Sequence, residues 1–174
     1  MKNLSQNRKQ GARGGFTILE LVVTVTVFGI LTAAAAVSWV SFSRYQQLRE
    51  SAGAFHKELL ALKAKALENG DTIRITYIDS TSYKVVTTGI SDDNATKNDT
   101  TNKKLGNAVT FGNKTGDWKT RIKILPYNLN AFDSGTVVIK SSSTKKEFRI
   151  QKDANGVKPE LYYRSGSGGT WKKM

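Results

Sequence analysis

Residues 16–40 read FTILELVVTVTVFGILTAAAAVSWV. Those 25 residues carry one charge, Glu20, and the 22 residues from 21 to 42 carry none. A helix needs about 20 predominantly apolar residues to cross the hydrocarbon of a bilayer. The run is therefore long enough to span, and it is longer than the apolar region of an ordinary secretory signal. Residues 1–15 precede it with Lys2, Arg8, Lys9 and Arg13 and no acid. Basic residues flanking a span stay on the cytoplasmic side, which predicts a cytoplasmic N-terminus.

Working outward, the pattern beyond the span stays helical. Tyr45, Leu48, Ala52, Phe55, Leu59, Leu62 and Ala66 recur at steps of three and four, with most charges off that stripe. No Pro interrupts before Pro126, and Asn69-Gly70-Asp71 supplies a stop in which Gly70 takes the left-handed cap. One helix over residues 16–68 would be roughly 80 Å long at 1.5 Å per residue. Its first half is apolar all round and projects; its second half, residues 43–70, is amphipathic and lies against a soluble domain. Gly29 and Gly53 mark either bends or close packing. His56, the single His, sits beside the stripe and reads as a partly buried structural side chain, not a ligand.

From residue 72 the period changes to two. Strands are expected at 73–78 and 83–88, joined by the Asp79-Ser80-Thr81-Ser82 turn, then at 108–111, 120–125, 135–140, 146–150 and 157–163. Residues 71–174 thus form a β-rich domain, an antiparallel sheet or small sandwich with the helix tail over one face. Residues 89–107 read GISDDNATKNDTTNKKLGN, too polar to bury much, and are expected as a mobile surface loop. Asp92-Asp93-Asn94 lacks the ligand spacing of a calcium loop. The Ser165-Gly166-Ser167-Gly168-Gly169 tail is flexible by composition, with Trp171 beyond it free to dock.

Composition narrows the chemistry. The chain has 174 residues, no Cys, two Pro and fifteen Gly, with 27 Lys+Arg against 14 Asp+Glu for a formal net charge of +13. That length holds one domain and something extended. The absence of Cys excludes disulfides, thiolate metal sites and Cys nucleophiles. One His excludes a multi-His metal centre and argues against a Ser-His-Asp triad. No acid/base or nucleophile constellation is visible, so the expectation is a protein without catalytic residues, cofactor or metal.

Glu20 is the informative residue. A carboxylate in hydrocarbon costs at least a few kcal/mol unless it is paired. It is either an interfacial carboxylate at the membrane edge or one that meets a cation in an assembled state. Gly15-Phe16-Thr17-Ile18-Leu19-Glu20, behind a basic leader and ahead of an apolar helix, resembles the class III signal of type IV pilins and type II secretion pseudopilins. The resemblance implies cleavage after Gly15 by a prepilin peptidase, N-methylation of the new terminus Phe16, and Glu20 as the fifth-position Glu that pairs with a neighbour's α-amine in a filament. The family commonly has Thr-Leu-Ile-Glu where this chain has Thr17-Ile18-Leu19-Glu20, a swap that keeps volume and polarity. The implied fold class is α+β, the pilin fold: a leader at 1–15, a transmembrane or filament-core helix at 16–42, its amphipathic continuation at 43–70 and the β-rich domain at 71–174.

The C-terminal half resembles the GspH/FimT-type minor pseudopilins more loosely. Ile124-Leu125-Pro126-Tyr127, then Asp133-Ser134-Gly135-Thr136-Val137-Val138-Ile139, then Asn155-Gly156-Val157-Lys158 follow that order. Some FimT-type pilins bind DNA through Gly-Arg-x-Arg; Gly156-Val157-Lys158-Pro159 lacks both Arg. Without the leader the chain keeps 23 Lys+Arg against 14 Asp+Glu, and Arg164, Lys172 and Lys173, near Tyr162, Tyr163 and Trp171, are the candidate DNA-binding residues. The leading expectation is a minor pilin or pseudopilin. It would be a single-pass protein of the bacterial cytoplasmic membrane with its C-terminal domain outside the cytoplasm. Its partners would be other pilins, the prepilin peptidase and an inner-membrane assembly platform. The alternative is a DNA-binding minor pilin of natural transformation.

Overall fold

The computed structural model describes residues 15–90, 96–127, 131–155, 157–166 and 168–174. The chain divides into two compact units, Met1–Trp39 and Val40–Met174. Among the described residues there is one α-helix, α1 (Ile18–Asn69). Thr17 opens it, and Gly70 closes it at φ 72°, a left-handed conformation that costs glycine nothing.

In the second unit α1 buries Leu48, Ser51, Ala52, Phe55, Leu59 and Ala66, with Tyr45 and Leu62 packed at the edge. This is the expected stripe. His56 is half-buried, and its Nε2 lies 2.9 Å from the Pro159 carbonyl, a partner the sequence did not reveal. A side chain at Gly29 or Gly53 would meet nothing within 4 Å, so neither glycine serves close packing within the chain.

Among the described residues nine strands make two antiparallel sheets. The first has the order β3-β2-β1-β5, from β1 (Thr72–Tyr77), β2 (Ser82–Ile90), β3 (Thr96–Lys104) and β5 (Arg121–Ile124). The second runs β4-β6-β7-β8-β9, from β4 (Val109–Gly116), β6 (Gly135–Ser141), β7 (Lys146–Lys152), β8 (Pro159–Ser165) and β9 (Lys172–Lys173). Ile73, Ile75, Val85, Ile122 and Ile124 from the first sheet share one core with Val137, Ile139, Phe148 and Ile150 from the second. Phe55 of α1 joins them through edge-on contacts with Tyr83 and Phe111, ring centres 5.1 and 5.4 Å apart; such pairs add to simple area burial.

The loop expected over residues 89–107 is corrected by β3, which pairs with β2 from Ser82↔Lys104 to Ile90↔Thr96. Asn98 through Lys104 expose their side chains on both faces. A strand wet on both faces has no alternation to betray it; its backbone ladder is what holds it. Lys103 also reaches Glu58 of α1 at 2.6 Å, and Tyr83 donates its hydroxyl to the other Glu58 oxygen. Asp92-Asp93-Asn94 lie outside the described residues.

Candidate functional site

The first candidate site is the start of α1. The Glu20 N–H donates to Thr17 Oγ1 at 3.2 Å, and Leu21 N–H to the Thr17 carbonyl at 3.1 Å. Thr17 is therefore the N-cap and Glu20 the third helical residue, the spacing of a capping box. A carboxylate in that turn also faces the positive end of the helix dipole. Sequence reasoning missed this local role, although Thr-x-x-Glu is its signature. Among the described residues Glu20 forms no ion pair.

Everything around it is apolar and uncovered. Phe16 is 79% exposed and Phe28 71%. Thr24, Thr26 and Thr32 turn their hydroxyls back onto the carbonyls of Glu20, Val22 and Phe28 at 2.6–2.8 Å. A hydroxyl satisfied by its own helix tolerates hydrocarbon, since nothing polar is left to solvate. The helix is long and apolar enough to cross a membrane. Gly15 precedes it in exposed chain outside the helix, with nothing within 4 Å of where a side chain would sit.

The second candidate site is the basic end of the second sheet. Tyr162↔Lys173 and Tyr163↔Lys172 are register pairs, so the two lysines lie on opposite faces of the sheet. Arg164 donates from Nε and Nη2 to Glu147 Oε2 at 2.8 and 2.5 Å, across the Glu147↔Arg164 pair. Lys173 donates to Glu160, which lowers the Glu160 pKa and raises that of Lys173. The three candidate DNA-binding residues therefore form no shared free cluster: Arg164 and Lys173 are held by carboxylates, and Lys172 faces away from both. Trp171 docks on the sheet, its ring 4.4 Å from the Arg164 guanidinium carbon and 4.6 Å from that of Arg149.

Against these geometries stands one family match. Residues 11–36 match the model described as the prokaryotic N-terminal methylation motif. The match spans the end of the basic N-terminal segment, the Gly15–Phe16 bond, Glu20 and most of the apolar run. It supports a type IV pilin-like chain processed by a prepilin peptidase and anchored through this helix. No curated protein and no solved structure matches the chain.

Proposed function

We propose that the chain is a minor pilin or pseudopilin of the GspH/FimT type, a structural subunit and not an enzyme. It is cut after Gly15, methylated on Phe16, held in the cytoplasmic membrane by residues 16–42 with the β-rich unit outside the cytoplasm, and drawn into a pilus or pseudopilus. The observation that carries this reading is the methylation motif lying on a capped apolar helical segment, exposed through residue 42, whose one acid has no ion-pair partner among the described residues.

The mechanism follows from charge. Cleavage creates an α-ammonium at Phe16, next to an N-terminal helix end that already carries partial positive charge. In lipid Glu20 sits close to the headgroup level and keeps water. When apolar helices pack together water leaves, and an unpaired carboxylate then costs several kcal/mol. Pairing Glu20 with the α-amine of a neighbouring subunit removes both penalties at one longitudinal register, so the pair sets the stagger between protomers. DNA binding is the second reading, and the internal pairing of Arg164 and Lys173 counts against it.

The test is Glu20→Ala in the native host. Membrane insertion should persist, because the span gains hydrophobicity. The amount recovered in sheared filaments, read by immunoblot against total protein, should fall at least about tenfold, the equivalent of ~1.4 kcal/mol. Parental recovery would sink the registration role.

A further inference from the structure

The outward face of β6, β7 and β8 holds a cleft of about 310 Å³ whose lining includes Lys140, Glu147, Arg149, Arg164 and Trp171. Strand register builds it. Lys140, Glu147 and Arg164 form one cross-strand row, and Val138, Arg149 and Tyr162 form the next. Three cations therefore face one carboxylate, and Glu147 is already committed to Arg164.

Two cations are left over, exposed Lys140 and half-buried Arg149, and Arg149 is the one withdrawn from water. Its guanidinium carbon lies 4.6 Å from the Trp171 ring and 5.1 Å from the Tyr162 ring. Aromatic walls hold a guanidinium plane by cation–π attraction but satisfy none of its five N–H donors. Among the described residues the buried Arg149 Nε has no acceptor and Arg149 forms no ion pair. Burial pulls its pKa below the usual arginine value, and the Arg164 charge adds to that. A buried donor without a partner is penalised, and like charges raise the penalty. An entering anion offsets the like charges and offers the guanidinium fork an acceptor.

We propose that this cleft binds carboxylate side chains of an acidic segment on a partner protein, with Arg149 as the bidentate donor, Lys140 as a second charge and Trp171 as the apolar wall. A carboxylate is planar and matches the guanidinium fork with two parallel hydrogen bonds. The cleft has room for one or two side chains. A track for a phosphate backbone would need a row of free cations leading away from it, and the neighbouring Lys173 is bound to Glu160. The inference stands on the second unit alone and does not depend on processing at Gly15.

The experiment uses the full chain in dodecyl maltoside micelles, titrated with acetylated, amidated hexaglutamate. NMR follows the Trp171 indole N–H and the Arg149 Nε–H. Saturable shifts at both are expected, with none from hexaglutamine. Arg149→Gln and Arg149→Lys should each weaken binding at least about tenfold, because neither offers the fork. Glu147→Gln removes the competing carboxylate and no cation, and should tighten binding about threefold or more. Absence of saturable shifts, or unchanged affinity in the Arg149 variants, overturns the proposal. So does a short single-stranded DNA that moves the same signals at lower concentration than hexaglutamate.

Discussion

Gly135 shows how much one missing side chain decides. It begins β6 beneath Trp118, whose indole is fully buried and donates to the Asp133 carbonyl at 2.8 Å. A Cβ at Gly135 would fall 2.5 Å from Trp118 Cγ and 2.6 Å from the Thr115 carbonyl oxygen. Gly135→Ala should therefore destabilise the fold by about 1–3 kcal/mol through overpacking, read as a lower urea midpoint; an unchanged midpoint would contradict the packing described. Asp79 gives a second residue-scale prediction. Its Oδ1 accepts from Thr81 N–H at 2.6 Å, Thr81 Oγ1 at 2.8 Å and Ser82 N–H at 2.7 Å. These bonds favour the charged form and lower its pKa to about 2. A depressed acid stabilises above its unfolded value and loses that contribution as pH falls through the folded one. The Thr81 and Ser82 amide signals should thus titrate with a midpoint near 2, and a midpoint near 4 would refute the turn geometry. Asp79 was legible as a turn residue. Gly135 read only as the first residue of an expected strand, because the indole that requires it comes from a separate segment of the chain.

At the scale of elements, α1 was the most legible. Its period, stop signal and buried stripe all follow from local chemistry repeated over 52 residues, and the observed ends differ from the expected ones by one or two positions. Gly70 ends it at φ 72°, with the Tyr127 hydroxyl occupying the space a side chain would need. Gly70→Ala should cost about 1 kcal/mol from the left-handed conformation alone, seen as a lower melting temperature. An unchanged one would mean that the helix does not end there as described. Strands with one dry face, such as β1 and β7, announced themselves by alternation. β3 did not, since it presents polar side chains to water on both sides, and β9 is two lysines long. What places these two is the ladder of a neighbour, which no local pattern encodes.

For the whole molecule, the two ends of the chain have opposite solvation needs. The first unit exposes an apolar helix that only lipid or other helices satisfy, whereas the second closes its own core. The proposed N-terminal site could be named from the sequence because its chemistry is contiguous: the proposed cleavage point between Gly15 and Phe16 and the one acid lie within six residues of sequence. Which cations of the C-terminal basic surface are paired was not legible, because density of Lys and Arg says nothing about pairing. Glu147 and Glu160 neutralise Arg164 and Lys173 only once strand register brings them together, and among the described residues the Arg149 Nε is left without an acceptor. The account rests on the creation of a charged terminus beside Glu20, and the most direct measurement is intact-mass and N-terminal peptide mass spectrometry of the protein purified from its native membrane. The predicted result is a chain beginning at Phe16 and bearing one methyl group on its α-amine. A chain still carrying residues 1–15 would contradict it.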